Sequence, residues 1–518
     1  MSWRGYFCVE ILDWISKIVQ VLCNCCQSLA PCRTMNVRLL HQARMTAPFS
    51  QSELGEDGKI VLEDGRMRTD SGVLEQRKTV CALVLAAGQG SRMSEETLKQ
   101  LHPVAGLALL KRVLCSLRDA GIVEVHVVVG CEGDRIQQQI GTDYAGLNMQ
   151  YIHAEHWSQG NLHSFLAARG FCDQDFILCM GDHIFDPEIV RKLQRVDLTG
   201  ALALAVDQVQ YSPDDTLVLE RDGKIVDTGK GLSVWNGVDT GFFKCAPKIF
   251  KHAMAAKEAG KAEFVECVRL AAEEGEAQTL DVSGYYWVDV DTEEDVKRAK
   301  WILAKYTQKG RSASDFIAHY LNRPLEIRLA YHLSDTRVTP NMVTLASNVV
   351  AYLAAAFFLF GQLLPAALLT FVVGIVDGVD GKLARIRRQA TRLGKLEHAF
   401  DLLFEFAWLI ALATYLSAFW GTLPILLAAG SITLMAFYRM VYDLFSRTMG
   451  ESLDNYGPFE RRFRRVAGRR NLYNIHILVF VLLGIPLWAL FTIMLHASVT
   501  AAVYVVRVGM HLHAADRQ

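Results

Sequence analysis

A chain of 518 residues is too long for one ordinary hydrophobic core, so two or more domains are expected. Hydrophobic residues make up 51% of it and the formal net charge is −1, a balance that argues against bulk nucleic-acid binding, which needs a basic face. These averages conceal a split, because residues 76–307 read as a soluble α/β protein and residues 341–513 are dominated by long apolar runs.

The first 75 residues carry the least signal. Phe7 to Cys23 is apolar but carries Glu10, Asp13 and Lys17 along one helical face, which interrupts any signal-peptide core. Two readings stay open: an amphipathic helix at a membrane surface, or an upstream extension ahead of the alternative starts Met35 and Met45. Residues 46–75 are polar and are expected to be disordered. Cys8, Cys23, Cys25, Cys26 and Cys32 have no second ligand cluster to complete a metal site, which leaves palmitoylation or no role. The other seven of the 12 cysteines are scattered through expected strands and helices and read as reduced core thiols.

Thr79 to Ala87 is a strand by its apolar, β-branched content, and it runs into a glycine-rich turn. A helical stretch near Leu107 to Asp119 precedes a second strand at Val123 to Val129. Apolar runs at Met149 to His153, Phe176 to Met180 and Ala201 to Val206 alternate with helical patterns. This rhythm predicts an α/β domain with a mostly parallel sheet and helices on both faces. Asp222-Gly223 predicts a hairpin turn, and a last strand near Tyr285 to Val290 leads into a helix over about 293–306.

Residues 308–340 form a junction whose Arg323, Arg328 and Arg337 suit a helix lying against anionic headgroups. Six apolar segments follow, at roughly 342–360, 362–380, 400–420, 423–445, 474–496 and 498–513. Lysines and arginines crowd the loops after the second and fourth segments, whereas the connections around Gly361, Gly421 and Ala497 carry none. Six transmembrane helices with the soluble domain inside therefore satisfy the positive-inside rule, and both active sites are expected on the cytosolic side.

Two constellations carry chemistry. Leu85-Ala86-Ala87-Gly88-Gln89-Gly90-Ser91-Arg92 leaves the first strand directly, and Gly88 and Gly90 let the backbone close on phosphates. Such a turn alone is compatible with plain structure, as Asp182 alone is with a helix N-cap. The whole run, followed by Lys99, resembles the sugar-phosphate nucleotidyltransferase family, although the proline usual before that lysine is replaced by Leu98. The resemblance implies a Rossmann-like fold, phosphate binding at Ala87, Gly88 and Gly90, and triphosphate neutralisation by Lys99 and Arg92. It also implies Mg²⁺ (or Mn²⁺) at Asp182 and Asp289, the latter favoured over Asp291 by its spacing from Trp287, with Gln159 and Gly160 near the base and ribose. The reaction expected is in-line attack of a phosphate oxygen on the α-phosphorus of a nucleoside triphosphate, with loss of pyrophosphate.

Asp377-Gly378-Val379-Asp380-Gly381-Lys382-Leu383-Ala384-Arg385 is the sharper signal. Acidic residues ending an apolar span are costly unless they serve a site, and Asp is too short to snorkel well. At i, i+3 Asp377 and Asp380 share a helix face, and Gly381 and Ala384 leave room beside it for a nucleotide. The run resembles the CDP-alcohol phosphatidyltransferase motif, and Thr339-Pro340-Asn341 resembles the short motif before that family's first span. Gly394 is in place, but where the pattern has two further aspartates the chain has His398 and Leu402. A one-residue register change would make Glu397 a metal ligand and Asp401 the base for the acceptor hydroxyl. The alternative, Asp401 as ligand and Glu405 as base, stays open, as does a ligand role for His398. Arg385 and Arg388 are candidate phosphate clamps.

A cytidylyltransferase fused upstream of a CDP-alcohol phosphotransferase resembles the bifunctional inositol-1-phosphate cytidylyltransferase and di-myo-inositol phosphate phosphate synthase family, over roughly residues 79–513. That resemblance implies CTP and a polyol phosphate as substrates, a CDP-alcohol intermediate and release of CMP, with a homodimer through the membrane domain. A phospholipid synthase with a lipid acceptor, or a nucleotide-sensing scaffold with decayed sites, are the competing readings.

Overall fold

The computed structural model describes residues 81–90, 98–212, 214–307, 317–389 and 396–517, apart from the side chains of residues 397 and 398. The expectations for residues 1–75, for Arg92 and for Gly394 lie outside the described residues.

Ten strands form one sheet, in spatial order Leu217–Arg221, Lys224–Gly229, Ala277–Asp281, Leu202–Asp207, Gly237–Cys245, Phe176–Met180, Cys81–Ala86, Glu124–Val129, Leu147–His153 and Asp143–Tyr144. Cys81–Ala86 lies parallel to both its neighbours, and its unbroken apolar run suits a strand covered on both faces. Helices cover the two faces with separate cores, one built on Leu110, Val113 and Leu117, the other on Phe165, Phe250 and Phe264. The sheet is mixed rather than mostly parallel. Gly237–Cys245 enters antiparallel between Phe176–Met180 and Leu202–Asp207, and its two glycines and Asp239-Thr240 break the alternation that would have marked a strand. The Asp222-Gly223 hairpin is present, with φ of 52° and 75°, the left-handed pair that a tight two-residue turn demands.

The last helix of this domain, α1 (Glu293–Tyr306), starts at a capping box between Thr292 and Asp295. Beyond it come α2 (Arg323–Leu333), α3 (Pro340–Leu359), α4 (Leu363–Ile386), α5 (Glu397–Trp420), α6 (Leu423–Met449), α7 (Arg470–Leu482) and α8 (Leu487–Ala515). Thr339 caps α3 with Pro340 in its first turn, as the short motif suggested. Five of these helices are long and apolar enough to cross a membrane: α3, α4, α5 from Ala399 onward, α6 and α8.

The expected sixth span needs correcting. Gly361 and Gly421 do turn the chain between helices, but Ala497 lies inside α8, and the break falls at Gly484 (φ 74°) and Pro486. A left-handed glycine followed two residues later by a proline interrupts the helical ladder, which sequence hydropathy passes over. The result is a 13-residue α7, about 20 Å long against a hydrocarbon core of about 30 Å, and a 29-residue α8.

The two halves share a core. Val288, Val290 and Leu303 from the first pack with Val343, Val376, Val379 and Leu383 from the second, together with Leu329 and Ala330 of α2. The buried Arg112 donates to the carbonyls of Val104 (2.7 Å), Ala105 (2.9 Å) and, across the junction, Ile386 (2.9 Å). Arg388 pairs with Asp119 beside it. Arg387, one residue earlier, is buried and donates to the carbonyls of Leu333, Ser334, Thr336 and Val338, fixing the turn between α2 and α3.

Candidate active sites in the two halves

The first site assembles at the C-terminal ends of the parallel strands, where open α/β sheets place their ligands. The turn after Cys81–Ala86 is held by Gln100, whose amide donates to the carbonyls of Ala86 (2.9 Å) and Gly88 (2.7 Å). Gly88 is exposed and Ala87 buried. Gly90 has φ 70°, and a Cβ there would lie 2.4 Å from the Cβ of Lys99, so glycine is needed for the lysine to pass beneath the turn.

Met180-Gly181-Asp182 leaves the neighbouring strand, and a short antiparallel pair completes the site. His183–Phe185 pairs with Trp287–Asp289 in the register Asp289↔His183. That register brings together ligand atoms of Asp182, His183 and Asp289, all within 4.8 Å of one another. Lys99 donates to Asp182 (2.6 Å) and to Asp291, and its Nζ lies 3.8 Å from Asp289 Oδ1. His183 Nδ1 lies 2.9 Å from Asp182 Oδ1. The expectation favoured Asp289 over Asp291, whereas the structure brings both to Lys99. His183, which the sequence reading passed over, is bracketed by Trp287 and by Gly241, whose φ is 77° and whose Cβ would lie 2.8 Å from the imidazole Nε2.

Electrostatics here favour the charged forms of the first pair. Burial raises the Asp182 pKa, but Lys99 and then His183 outweigh it and hold the carboxyl well below the usual range. Burial opposes the Lys99 charge, yet Asp182 and Asp289 drive its pKa above the ordinary lysine value. His183 is likewise resisted by burial and raised by Asp289 and Asp182. Asp289 is pushed up to about 6 by burial, and its Oδ1 is buried with no hydrogen-bond partner. An orphaned carboxylate oxygen facing a second carboxylate and an imidazole fits a divalent cation. A cleft of ≈ 880 Å³ opens from this cluster, lined by Asn161, Gln210, Asp215, Lys230, Asp239 and Arg298 among others. Gln159 is exposed at the preceding turn. Gly160 (φ 124°) presses on the backbone of Ala262, whose oxygen a Cβ would meet at 2.3 Å, so its requirement is met within the protein; Asn161 is the part of that turn that reaches the cleft.

The second site sits where α4, α5, α6 and α7 converge. Asp377 and Asp380 leave α4 on one broad face but have different partners: Asp377 is bonded to Arg470 of α7, and Asp380 accepts from Thr344 of α3 (2.6 Å). Arg470 also donates to Asp401 (3.2 Å) and lies 3.8 Å from Glu405, gathering three carboxylates around one guanidinium. Glu405 is held from its other side by Arg439 (2.5 Å). Asp401 and Glu405 therefore both stand beside Asp377, and the side chains of Glu397 and His398 lie outside the described residues. Gly381 and Ala384 are half-buried on the same helix, with Arg385 folded back until its Nη1 lies 3.2 Å from where a Gly381 Cβ would be. A cavity of ≈ 450 Å³ joins Asp377, Asp401, Glu405, Arg439 and Arg470 to Tyr438, Tyr442, Arg464 and Tyr504. Hard carboxylate oxygens around Asp377 fit divalent cations by their donor chemistry. Glu405 is the alternative base expected from the sequence, whereas Arg470 and Arg439 did not stand out there: they read as loop charge or as part of a span.

A sheet domain with a Lys–Asp–His–Asp cluster at its strand ends, joined to a helical domain carrying Asp377, Asp380, Asp401 and Glu405, defines a nucleotidyltransferase fused to a CDP-alcohol phosphotransferase. Comparisons with known proteins agree on both halves. The MobA-like NTP transferase domain family matches residues 82–257, and the CDP-alcohol phosphatidyltransferase family matches residues 337–453. The "Bifunctional IPC transferase and DIPP synthase" of Aquifex aeolicus is 30% identical over 407 residues, covering 78% of this chain and 92% of its own. The protein of that name from Rubrobacter xylanophilus is 32% identical over 61% of this chain and 73% of its own, and that from Archaeoglobus fulgidus is 29% identical over 79% of each. The chain belongs to this family of bifunctional membrane transferases.

Proposed function

We propose that the first site makes CDP-inositol from CTP and inositol 1-phosphate, and that the second passes its phosphoinositol group to the hydroxyl of a further inositol phosphate. In the first step a phosphate oxygen attacks the α-phosphorus of CTP, and the bond to the β-phosphate oxygen breaks to release pyrophosphate. Lys99 and Arg92 neutralise the phosphates, the Gly88–Gly90 turn holds them, and Asp182, His183 and Asp289 would hold Mg²⁺ or Mn²⁺. In the second step the acceptor oxygen attacks the β-phosphorus, its proton passes to Asp401 or Glu405, and CMP leaves. Asp377 and Asp380 would hold divalent cations there, with Glu397 a further candidate ligand. A divalent cation in either site supplies charge stabilisation on the leaving phosphate. The basic ends of α4 and α6 face the cytosol in this reading, with both sites on that side, and a second copy pairs through the membrane helices.

One observation carries the proposal: two separate clusters of acidic and basic groups lie in one chain, and that chain matches a bifunctional relative over 92% of the relative's length. Detergent-purified protein with Mg²⁺, CTP and inositol 1-phosphate, followed by ³¹P NMR, tests it. A CDP-alcohol signal giving way to a phosphodiester, with CMP accumulating, is the expected course. Turnover of another polyol phosphate, with none of inositol phosphate, would refute the inositol assignment while leaving the two reaction classes intact.

A further inference from the structure

Pro324 sits in the first turn of α2 and has no N–H to give the carbonyl four residues back, while its ring crowds that carbonyl. The chain answers with a π-helical turn over Ala318–Asn322, a widening found frequently at functional sites. The turn ends on Asn322, a residue that is 3% exposed and lines the cavity of the second site beside Asp377. It lies against α4 where that helix has no side chain: a Cβ at Gly374 would meet Asn322 Nδ2 at 3.4 Å. One turn on, Glu326 repeats the arrangement at Gly378, whose Cβ would meet its carboxyl carbon at 2.4 Å, and pairs with Lys382 at 3.5 Å. Two glycines of α4 and this ion pair thus fix α2 against the Asp377 face.

The Asn322 Oδ1 is buried and accepts no hydrogen bond. Left so, a buried amide oxygen carries its full desolvation cost. From this placement we infer that Asn322 is a substrate-binding residue of the second site, its Oδ1 receiving an N–H or O–H of the bound donor or acceptor. The inference rests on the phosphotransfer reading of that site. Two sources offer such a donor: the amino group of the CDP-alcohol's base and a hydroxyl of the polyol. Asn322 belongs to the junction segment, so the stretch between the two domains supplies part of the second site's wall rather than serving as a spacer alone.

The test supplies CDP-inositol and inositol phosphate directly to the detergent-purified full chain and measures CMP release, varying each substrate in turn. Asn322→Ala should raise the KM of one substrate about tenfold, the worth of a single neutral hydrogen bond, with kcat within about threefold. A rise confined to the CDP-alcohol identifies the base, and a rise confined to the acceptor identifies the polyol. Asn322→Asp, which keeps an acceptor oxygen of the same reach, should recover most of the loss if the protein is otherwise sound. Pyrophosphate release at the first site should not change in either variant. Unaltered KM values for both substrates in Asn322→Ala would overturn the inference, as would equal losses in both variants or a loss shared by the first site. No CMP release by the unsubstituted protein would instead count against the phosphotransfer reading itself.

Discussion

Replacing Lys99 with methionine removes one charge from the first site at almost constant volume. The Nζ lies 2.6 Å from Asp182 and 3.8 Å from Asp289, in a side chain only 8% exposed. At an effective dielectric of about 20 those separations correspond to roughly 6 and 4 kcal/mol of gross attraction, much of it offset by the cost of desolvating the ammonium. A net loss of about 3–4 kcal/mol in transition-state stabilisation is the reasonable share, so pyrophosphate release should fall roughly 10²- to 10³-fold. The pH profile gives an independent check. Lys99 lowers the pKa of both Asp182 and Asp289, the latter standing at about 6, so its removal must raise both. Fewer carboxylates would then be ionised near neutrality, and the acid limb of kcat should move to higher pH. The assay is pyrophosphate release from CTP and inositol 1-phosphate across pH 5 to 9, with CMP release from supplied CDP-inositol as the control. Activity within fivefold of the unsubstituted protein, with an unmoved acid limb, would refute the electrostatic role.

Asp182→Ala should abolish pyrophosphate release and leave use of supplied CDP-alcohol intact; loss of both activities would contradict two independent sites. Arg470→Ala should do the reverse, lowering CMP release at least about 100-fold, because three carboxylates lose their common partner, and Arg470→Lys should recover only part of it. Arg112→Met leaves three buried carbonyls, one of them across the junction, without their donor, and should lower stability by about 3 kcal/mol in thermal unfolding. Asp239, which accepts from the Gly241 amide at 2.7 Å, is raised by burial to about 6, above its usual 3.8. Its contribution is therefore greatest below about pH 4 and is lost as pH rises through 6, by about 3 kcal/mol in all. Asp239→Asn should gain stability at pH 7 relative to pH 4, and parallel pH–stability curves for the two proteins would exclude this.

The parts of both sites that lie within one short run were legible in the sequence. Ala87-Gly88-Gln89-Gly90 and Asp377 to Arg385 are local, because a turn that admits phosphate and a helix face that presents two carboxylates are each set by neighbouring residues. What the sequence does not show is pairing across distance. His183 matters because Asp289 falls opposite it in an antiparallel register, and nothing local to either residue sets that register. Arg470 stands 93 positions from Asp377 and reads as one more basic residue beside an apolar run until helix packing brings it inward. The sixth span failed for a related reason: summed hydropathy runs through Gly484 and Pro486, while the backbone does not.

The junction shows how the two chemistries are tied together. A flexible tether would leave two separate cores, each closed by its own polar surface. Here Leu303 and Ala304 of α1, Leu329 and Ala330 of α2, and Val376 and Val379 of α4 share one core, locked at its edge by Arg112 and Arg387. Helix α1 is capped by Thr292, next to Asp291 of the first site, and packs against α2. Helix α2 begins at the turn that ends on Asn322 in the second cavity and packs against α4. Packed interiors transmit strain rather than absorb it, so damage to the shared core between these helices reaches both sites, whereas truncating a side chain that faces only one cavity leaves the other site unchanged. Cutting the core, as Arg112→Met does at one contact, should then disturb the second site as well as overall stability, which two independently tethered domains would not show.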